Sequence, residues 1–164
     1  MIKKMVLWSS IEDSSLSEFF EKLVKVDWSE VEQLDLYINS YGGELFGGLA
    51  IYDYLRALPV VVHTIAIGKV MSAGTIVFLA GEVRSCYKHS YFMVHNMSDN
   101  LSGSIQSLEN DMALNKILNE QMVNIYKEHT NIKHKKEWRK RLMQDTYIDA
   151  KEAKEIGFVQ AIIV

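Results

Sequence analysis

An α/β fold built on a parallel sheet is the class this chain predicts, and three observations carry that reading. Short apolar, β-branched runs alternate with amphipathic helical stretches along most of the length, the order that lays strands parallel with helices crossing between them. Turn-forming residues fall at the junctions, notably Ser40-Tyr41-Gly42-Gly43, Pro59 and Gly81. The size is right for one core: 164 residues, 48% hydrophobic and 24% charged, too few for two comfortable domains. No internal repeat, low-complexity segment or linker interrupts the chain, so residues 1–164 are expected to form a single domain.

The elements follow in order. Residues 5–8 (Met5 to Trp8) predict a short strand. Ser15 and Glu18 fit a capping box, and Leu16, Phe19, Phe20, Leu23 and Val24 then recur at helical spacing. Leu34, Leu36 and Ile38 alternate with polar neighbours, predicting a strand over 33–39 that runs into the Ser40–Gly43 loop. Ile51, Tyr54, Leu55 and Leu58 mark a helix that Pro59, the chain's one proline, brings to an end. Residues 60–67 are a buried strand by composition, and 73–80 an apolar helix stopped by Gly81. Two strands are predicted over 83–87 and 91–95. Residues 96–103 are polar and turn-like.

A helix of roughly 25 residues, about 38 Å long, is expected from Ser104 to His129. Such a helix is longer than the core of one small domain needs, which points to packing on another subunit. The basic run from Lys133 to Arg141 encloses Trp138 and reads as a solvated helix face. Asp149 with Glu152 makes a second capping box, Gly157 ends that helix, and residues 158–164 close as a strand.

Bulk properties exclude several function classes. A net charge of −3 argues against nucleic acid as the main partner. No apolar stretch reaches membrane-spanning length, and the apolar run after Lys3-Lys4 is too short for a signal peptide. Cys86 is the single cysteine, so no internal disulfide can form and a reducing, cytoplasmic location is expected. No metal or cofactor is expected.

The chemistry centres on Gly68-Lys69-Val70-Met71-Ser72-Ala73-Gly74. Ser72 falls where a strand turns sharply into a helix, at the positive end of the helix dipole among unpartnered backbone N–H groups. A hydroxyl there suits a nucleophile whose transition state gathers negative charge, although serine is also an ordinary N-cap. An activated serine needs a base, a group that orients the base, and donors for the oxyanion. Of five histidines, His95 ends the apolar strand Tyr91-Phe92-Met93-Val94 and precedes a polar loop, where a strand delivers a side chain to a site. His63 lies inside a buried strand and reads as a satisfied core residue, His89 lies in a tight turn, and His129 and His134 lie near exposed helix ends. The carboxylate is the least determined part. Asp145 lies between two helical segments, Asp149 is explained as a cap, and Asp99 and Asp111 are further candidates. Gly42-Gly43 offers one oxyanion N–H, since no Cβ blocks close approach, and Ala73 offers the second.

Together these segments resemble the Clp protease proteolytic subunit (ClpP) family, self-compartmentalising serine peptidases. The resemblance lies in Ile38-Asn39-Ser40-Tyr41-Gly42-Gly43, in the serine motif Gly68 to Gly74, in Phe92-Met93-Val94-His95, and in Gln144-Asp145-Thr146-Tyr147-Ile148-Asp149-Ala150-Lys151-Glu152-Ala153 with Gly157 following. The resemblance implies Ser72 as nucleophile, His95 as general base, Asp145 as its orienting partner, and the Gly43 and Ala73 amides as the oxyanion hole. It implies the ClpP/crotonase fold of repeated ββα units with a projecting handle helix, here 104–129. It also implies a homo-oligomer, a heptameric ring or double ring, acting on polypeptides that a partner AAA+ ATPase unfoldase threads inside.

Departures from the family pattern are local. Tyr41 stands for a proline, Val70-Met71 for small residues, and Asn96-Met97 for Gln-Pro. Gln144 replaces an arginine that pairs across the two rings in many relatives. Met5 to Trp8 matches the family's first core strand, so the axial loops that meet the ATPase are expected to be largely missing. Two other readings remain open: a catalytically silent ring component, and a crotonase-type acyl-CoA enzyme or binder.

Overall fold

The computed structural model describes residues 1–97 and 102–164. Strand β1 (Ile2–Leu7), helix α1 (Asp13–Val24), β2 (Gln33–Ser40), α2 (Leu45–Ala57), β3 (Val61–Met71), α3 (Ala73–Leu79) and β4 (Val83–Tyr87) come in the alternating order expected. There follow β5 (Tyr91–Val94), α4 (Ile105–His129), α5 (Lys135–Leu142), β6 (Thr146–Asp149), α6 (Ala150–Glu155) and β7 (Ala161–Ile163). The main path of the sheet runs β1-β2-β3-β4-β7, every neighbouring pair parallel. Alternate residues of these strands pack into the core, among them Met5, Leu7, Leu34, Leu36, Ile38, Val62, Ala66 and Cys86. On the other face Ile2, Val6, Val61, Val83 and Tyr87 stay exposed. Among the described residues this is a mixed α/β architecture, a seven-stranded sheet with six α-helices, consistent with the fold that the resemblance implies.

The decisive irregularity is in β3. Its first part, His63 to Ala66, pairs with β4, and its last part, Lys69 to Met71, pairs with β5. The change of partner comes at Gly68, whose φ of +71° is open to glycine at little cost. The ladder to β2 breaks at the same level: Ile38 is opposite Ala66, but Ser40 is opposite Val70. This bulge turns the end of β3 out of the main sheet and onto β5, which pairs antiparallel with β6.

Several boundaries differ from the sequence expectation, each for a local reason. Helix α1 starts at Asp13, so Ser15 lies inside its first turn: its hydroxyl accepts from the Glu12 N–H at 3.0 Å and donates to Ser10 O at 2.6 Å. β1 reaches back to Ile2 because its backbone pairs along β2 from Gln33 to Ile38, whatever the side chains of Lys3 and Lys4 prefer. β7 is shorter than 158–164, since Phe158 and Val159 are buried and their N–H groups close α6 on Ala153 O. β6 was not foreseen. Of its four residues only Ile148 is buried, too faint a pattern to register without its partner β5.

Helix α4 has the expected span, with Ser104 as N-cap accepting from Ser107 N. Its second half packs on the core through Leu118, Met122, Val123 and Tyr126. Its first half leaves Ile105, Met112 and Ile117 more than half exposed. Trp138 of the basic helix α5 is fully buried and stacks on Tyr126 at 4.8 Å, so the run is amphipathic rather than wholly solvated. Two of its outer charges are paired, Arg139 with Glu120 and Arg141 with Glu152. Among the described residues, no helix is long and apolar enough to cross a membrane.

Arg84 is buried without a carboxylate partner among the described residues, and backbone carbonyls take its place. It donates to Gly81 O (2.8 Å), Phe158 O (2.9 Å) and His129 O (2.9 Å), which lie beyond or at the C-terminal ends of α3, α6 and α4. His129 ends α4, while Gly81 and Phe158 lie in the segments that follow α3 and α6, so one guanidinium ties three chain segments together. Arg84→Met is expected to lower stability by about 3 kcal/mol in chemical denaturation, because it strands those carbonyls. Cys86 is fully buried on β4, and burial pushes its thiol pKa up to about 11. Iodoacetamide at pH 8 is therefore expected to leave the folded protein unlabelled by mass spectrometry, and to label it after denaturation.

Candidate active site

Ser72 occupies the single residue between β3 and α3, with φ 51° and ψ −127°. Among the described residues it is the only non-glycine with positive φ. That conformation is disfavoured for an L-residue and persists only where the surroundings impose it. Here they do. The Ser72 N–H donates to Met93 O on β5 at 2.8 Å, and Ser72 O accepts from Thr75 N (2.9 Å) and Thr75 Oγ1 (2.6 Å). Thr75 Oγ1 in turn meets the buried Tyr126 Oη of α4 at 2.7 Å. The backbone is thus clamped from both sides while the hydroxyl stays free to face a cleft.

β5 carries the histidine. Because Val70 and Met71 lie opposite Phe92 and Met93, the residue following β5 emerges beside the residue following β3. His95 Nε2 lies 2.7 Å from Ser72 Oγ. β6, antiparallel to β5 with Val94 opposite Thr146, starts one residue after Asp145 and so brings that carboxylate to the same end. His95 Nδ1 is 3.5 Å from Asp145 Oδ1, longer than an ordinary hydrogen bond, and the Asp145 side chain is 61% exposed. The segment after His95 is tied down by Asn96 N to Leu142 O (2.8 Å) and Met97 N to Asn119 Oδ1 (3.0 Å).

The glycine loop completes the site. A Cβ on Gly42 would lie 2.7 Å from Ser72 Cβ and 2.9 Å from Ala73 N, so only glycine lets the loop rest on this turn. Gly43 forms a parallel bridge with Ile11, in which Ile11 N donates to Gly42 O and Glu44 N donates to Ile11 O. That pattern uses the amides on either side and leaves the Gly43 N–H pointing the other way. Ala73 N is at the first turn of α3, where no intrahelical acceptor exists. A cavity of about 490 Å³ opens over these groups; Gly43, Ser72, Ala73 and His95 are among its lining residues.

The other candidates have other occupations. His63 forms a second Asp–His–Ser chain, with Nδ1 3.2 Å from Asp35 Oδ1 and Nε2 3.0 Å from Ser85 Oγ. Ser85 is nearly buried mid-strand between β3 and β7, where the backbone amides belong to the sheet ladders, so no oxyanion could be received there. Asp149 caps α6 through Glu152 N at 2.8 Å. His129 is half-buried, not exposed as expected; burial lowers its pKa and its Nε2 meets Tyr52 Oη at 2.7 Å. His89 and His134 are exposed, and Asp111 sits on the first half of α4. Asp99 lies outside the described residues. Sequence reasoning missed Glu44 and Met122 as cleft-lining residues. Glu44 adjoins the Gly-Gly pair and could have been suspected, whereas Met122 reads only as helix core.

Comparison with known proteins agrees with the geometry. A sequence model of the Clp protease family matches residues 2–164. The chain is also similar to the ATP-dependent Clp protease proteolytic subunit of Deinococcus radiodurans, 31% identical over 156 residues, which cover 93% of this chain and 76% of that protein. With a seven-stranded α/β architecture, a serine held on a strained turn beside a histidine, and a family match over nearly its whole length, the chain belongs to the Clp protease family.

Proposed function

We propose that the chain is a serine endopeptidase that cleaves polypeptides through Ser72, His95 and Asp145, inside a homo-oligomeric ring. The observation that carries this reading is the 2.7 Å contact between Ser72 Oγ and His95 Nε2, in a cleft that Gly43 and Ala73 also line. His95 takes the proton from Ser72 Oγ as that oxygen attacks the scissile carbonyl. The N–H groups of Gly43 and Ala73 receive the oxyanion of the tetrahedral intermediate. His95 passes its proton to the leaving amine, and an acyl-enzyme remains. Water then attacks the ester, His95 taking a proton from it and returning one to Ser72 as the acid departs. Asp145 holds the imidazole in the tautomer that presents Nε2 to the serine. Its 3.5 Å separation is in the looser range of sites without substrate, and substrate binding would tighten it.

Assembly is supported by the exposed apolar residues Ile105, Met112 and Ile117 on the first half of α4, which a second copy would cover. A heptameric ring or double ring is the form this reading favours. Gln144 carries no charge with which to pair across two rings, so single and stacked rings are told apart by the mass of the particle. Fluorophosphonate labelling followed by native mass spectrometry tests both halves. One adduct per chain on Ser72, in particles of seven or fourteen chains, supports the proposal. A labelled monomer would remove the ring, and no label would remove the serine mechanism.

A further inference from the structure

We infer that Glu44 selects substrate segments carrying a lysine or arginine beside the residue at which they are cut. The inference rests on the peptidase reading above and narrows its substrate class. The cleft is walled largely by hydrocarbon and thioether groups, from Leu45, Phe46, Met93, Met97 and Met122. Among the described residues that line it, Glu44 is the only carboxylate, and no lysine or arginine is present. An apolar side chain of the substrate can fill such a wall, and the lone carboxylate then decides what may flank it.

Position makes the effect local. Glu44 directly follows Gly43, so their Cα atoms are about 3.8 Å apart, close to the amide that faces the reacting carbonyl. Its side chain is held rather than free: Oε1 accepts from Phe46 N at 3.2 Å and Oε2 from Gly47 N at 2.9 Å, at the start of α2. These backbone donors carry no formal charge, and each carboxylate oxygen keeps a lone pair for an ammonium or guanidinium group. None of the ion pairs among the described residues uses Glu44. Lys69, on the strand leading to Ser72, lies with Nζ 3.9 Å from the Tyr41 ring centre. A side chain fixed in place loses little further freedom when it binds, so the pair forms at small entropic cost.

The test measures binding in the Ser72→Ala background, where no cleavage occurs. Three fluorescent peptides share one apolar residue, flanked on each side in turn by lysine, uncharged norleucine or glutamate. The lysine peptide is expected to bind about three- to five-fold tighter than the norleucine peptide, and the glutamate peptide weaker than both. Glu44→Gln keeps an oxygen acceptor for the α2 amides and should erase the lysine preference; Glu44→Lys should reverse the order. Equal binding of the lysine and norleucine peptides overturns the inference, as does a preference that survives Glu44→Gln or no binding of any peptide. Hydrolysis by the unmodified protein is measured separately. Failure to cleave would overturn the peptidase reading while leaving the binding order to be read.

Discussion

Ser72→Ala is expected to abolish peptide hydrolysis, lowering turnover by roughly 10⁴- to 10⁶-fold while leaving the fold intact. The hydroxyl contributes nothing to the clamps on its own backbone, which run through Ser72 N and Ser72 O, so the alanine variant can keep the same turn. His95→Ala should cost as much, because among the described residues no other side chain is hydrogen-bonded to Ser72 Oγ to accept its proton. The double variant should be little worse than either single one, since the two act as a unit. Asp145→Asn should cost less, about 10²- to 10³-fold. Its contact is 3.5 Å and its carboxylate largely in water, unlike a buried partner that alone fixes the tautomer. Single-turnover cleavage of a fluorogenic peptide reads all four. Hydrolysis by Ser72→Ala at the unmodified rate would remove the proposed mechanism.

The second large effect is expected at a residue that bears no functional group. Gly42→Ala should reduce turnover by about 10²- to 10³-fold, the cost of one lost oxyanion donor. The new Cβ would lie within 3 Å of Ser72 Cβ and Ala73 N, both on a backbone that cannot give way. The loop must lift, and the Gly43 N–H moves with it. The φ of +85° adds a backbone penalty, so some loss of stability is expected as well. Gly157→Ala separates the two effects. Its φ is +74°, and its Cβ would meet only the side chain of Asn131, away from the residues that line the cleft. That variant should melt at a lower temperature yet turn over within about two-fold of the unmodified protein. Equal losses of turnover in both variants would assign the Gly42 effect to general destabilisation.

Much of the architecture could be read from the chain because its signals are local. The alternation at Leu34, Leu36 and Ile38, the helical spacing of Leu16, Phe19, Leu23 and Val24, and the stop at Pro59 each depend on residues within one element. So does the place of Ser72 between a strand and a helix. What escaped was faint or shared. β6 has one buried residue and is a strand only because β5 lies beside it. Ser15 bonds back to the N-cap residue Glu12 from the first turn of α1 rather than being the cap itself, a difference of three residues that spacing alone does not separate. His63 has the place of a satisfied core residue in the sequence, and what satisfies it is Asp35 and Ser85 from two neighbouring strands, partners fixed by sheet register.

By itself, then, the chain determined the order of its elements and the residue types able to do chemistry, because secondary structure and side-chain reactivity are set within a few residues. Residue pattern alone left several histidines and aspartates open and the family resemblance named His95 and Asp145, but what brings those two groups to Ser72 is tertiary structure. The physical reason is the break at Gly68, where β3 leaves β4 for β5. That one change of partner sets the ends of β3 and β5 and the start of β6 side by side. The groups at positions 72, 95 and 145 converge there, while His63, below the break, stays in the main sheet.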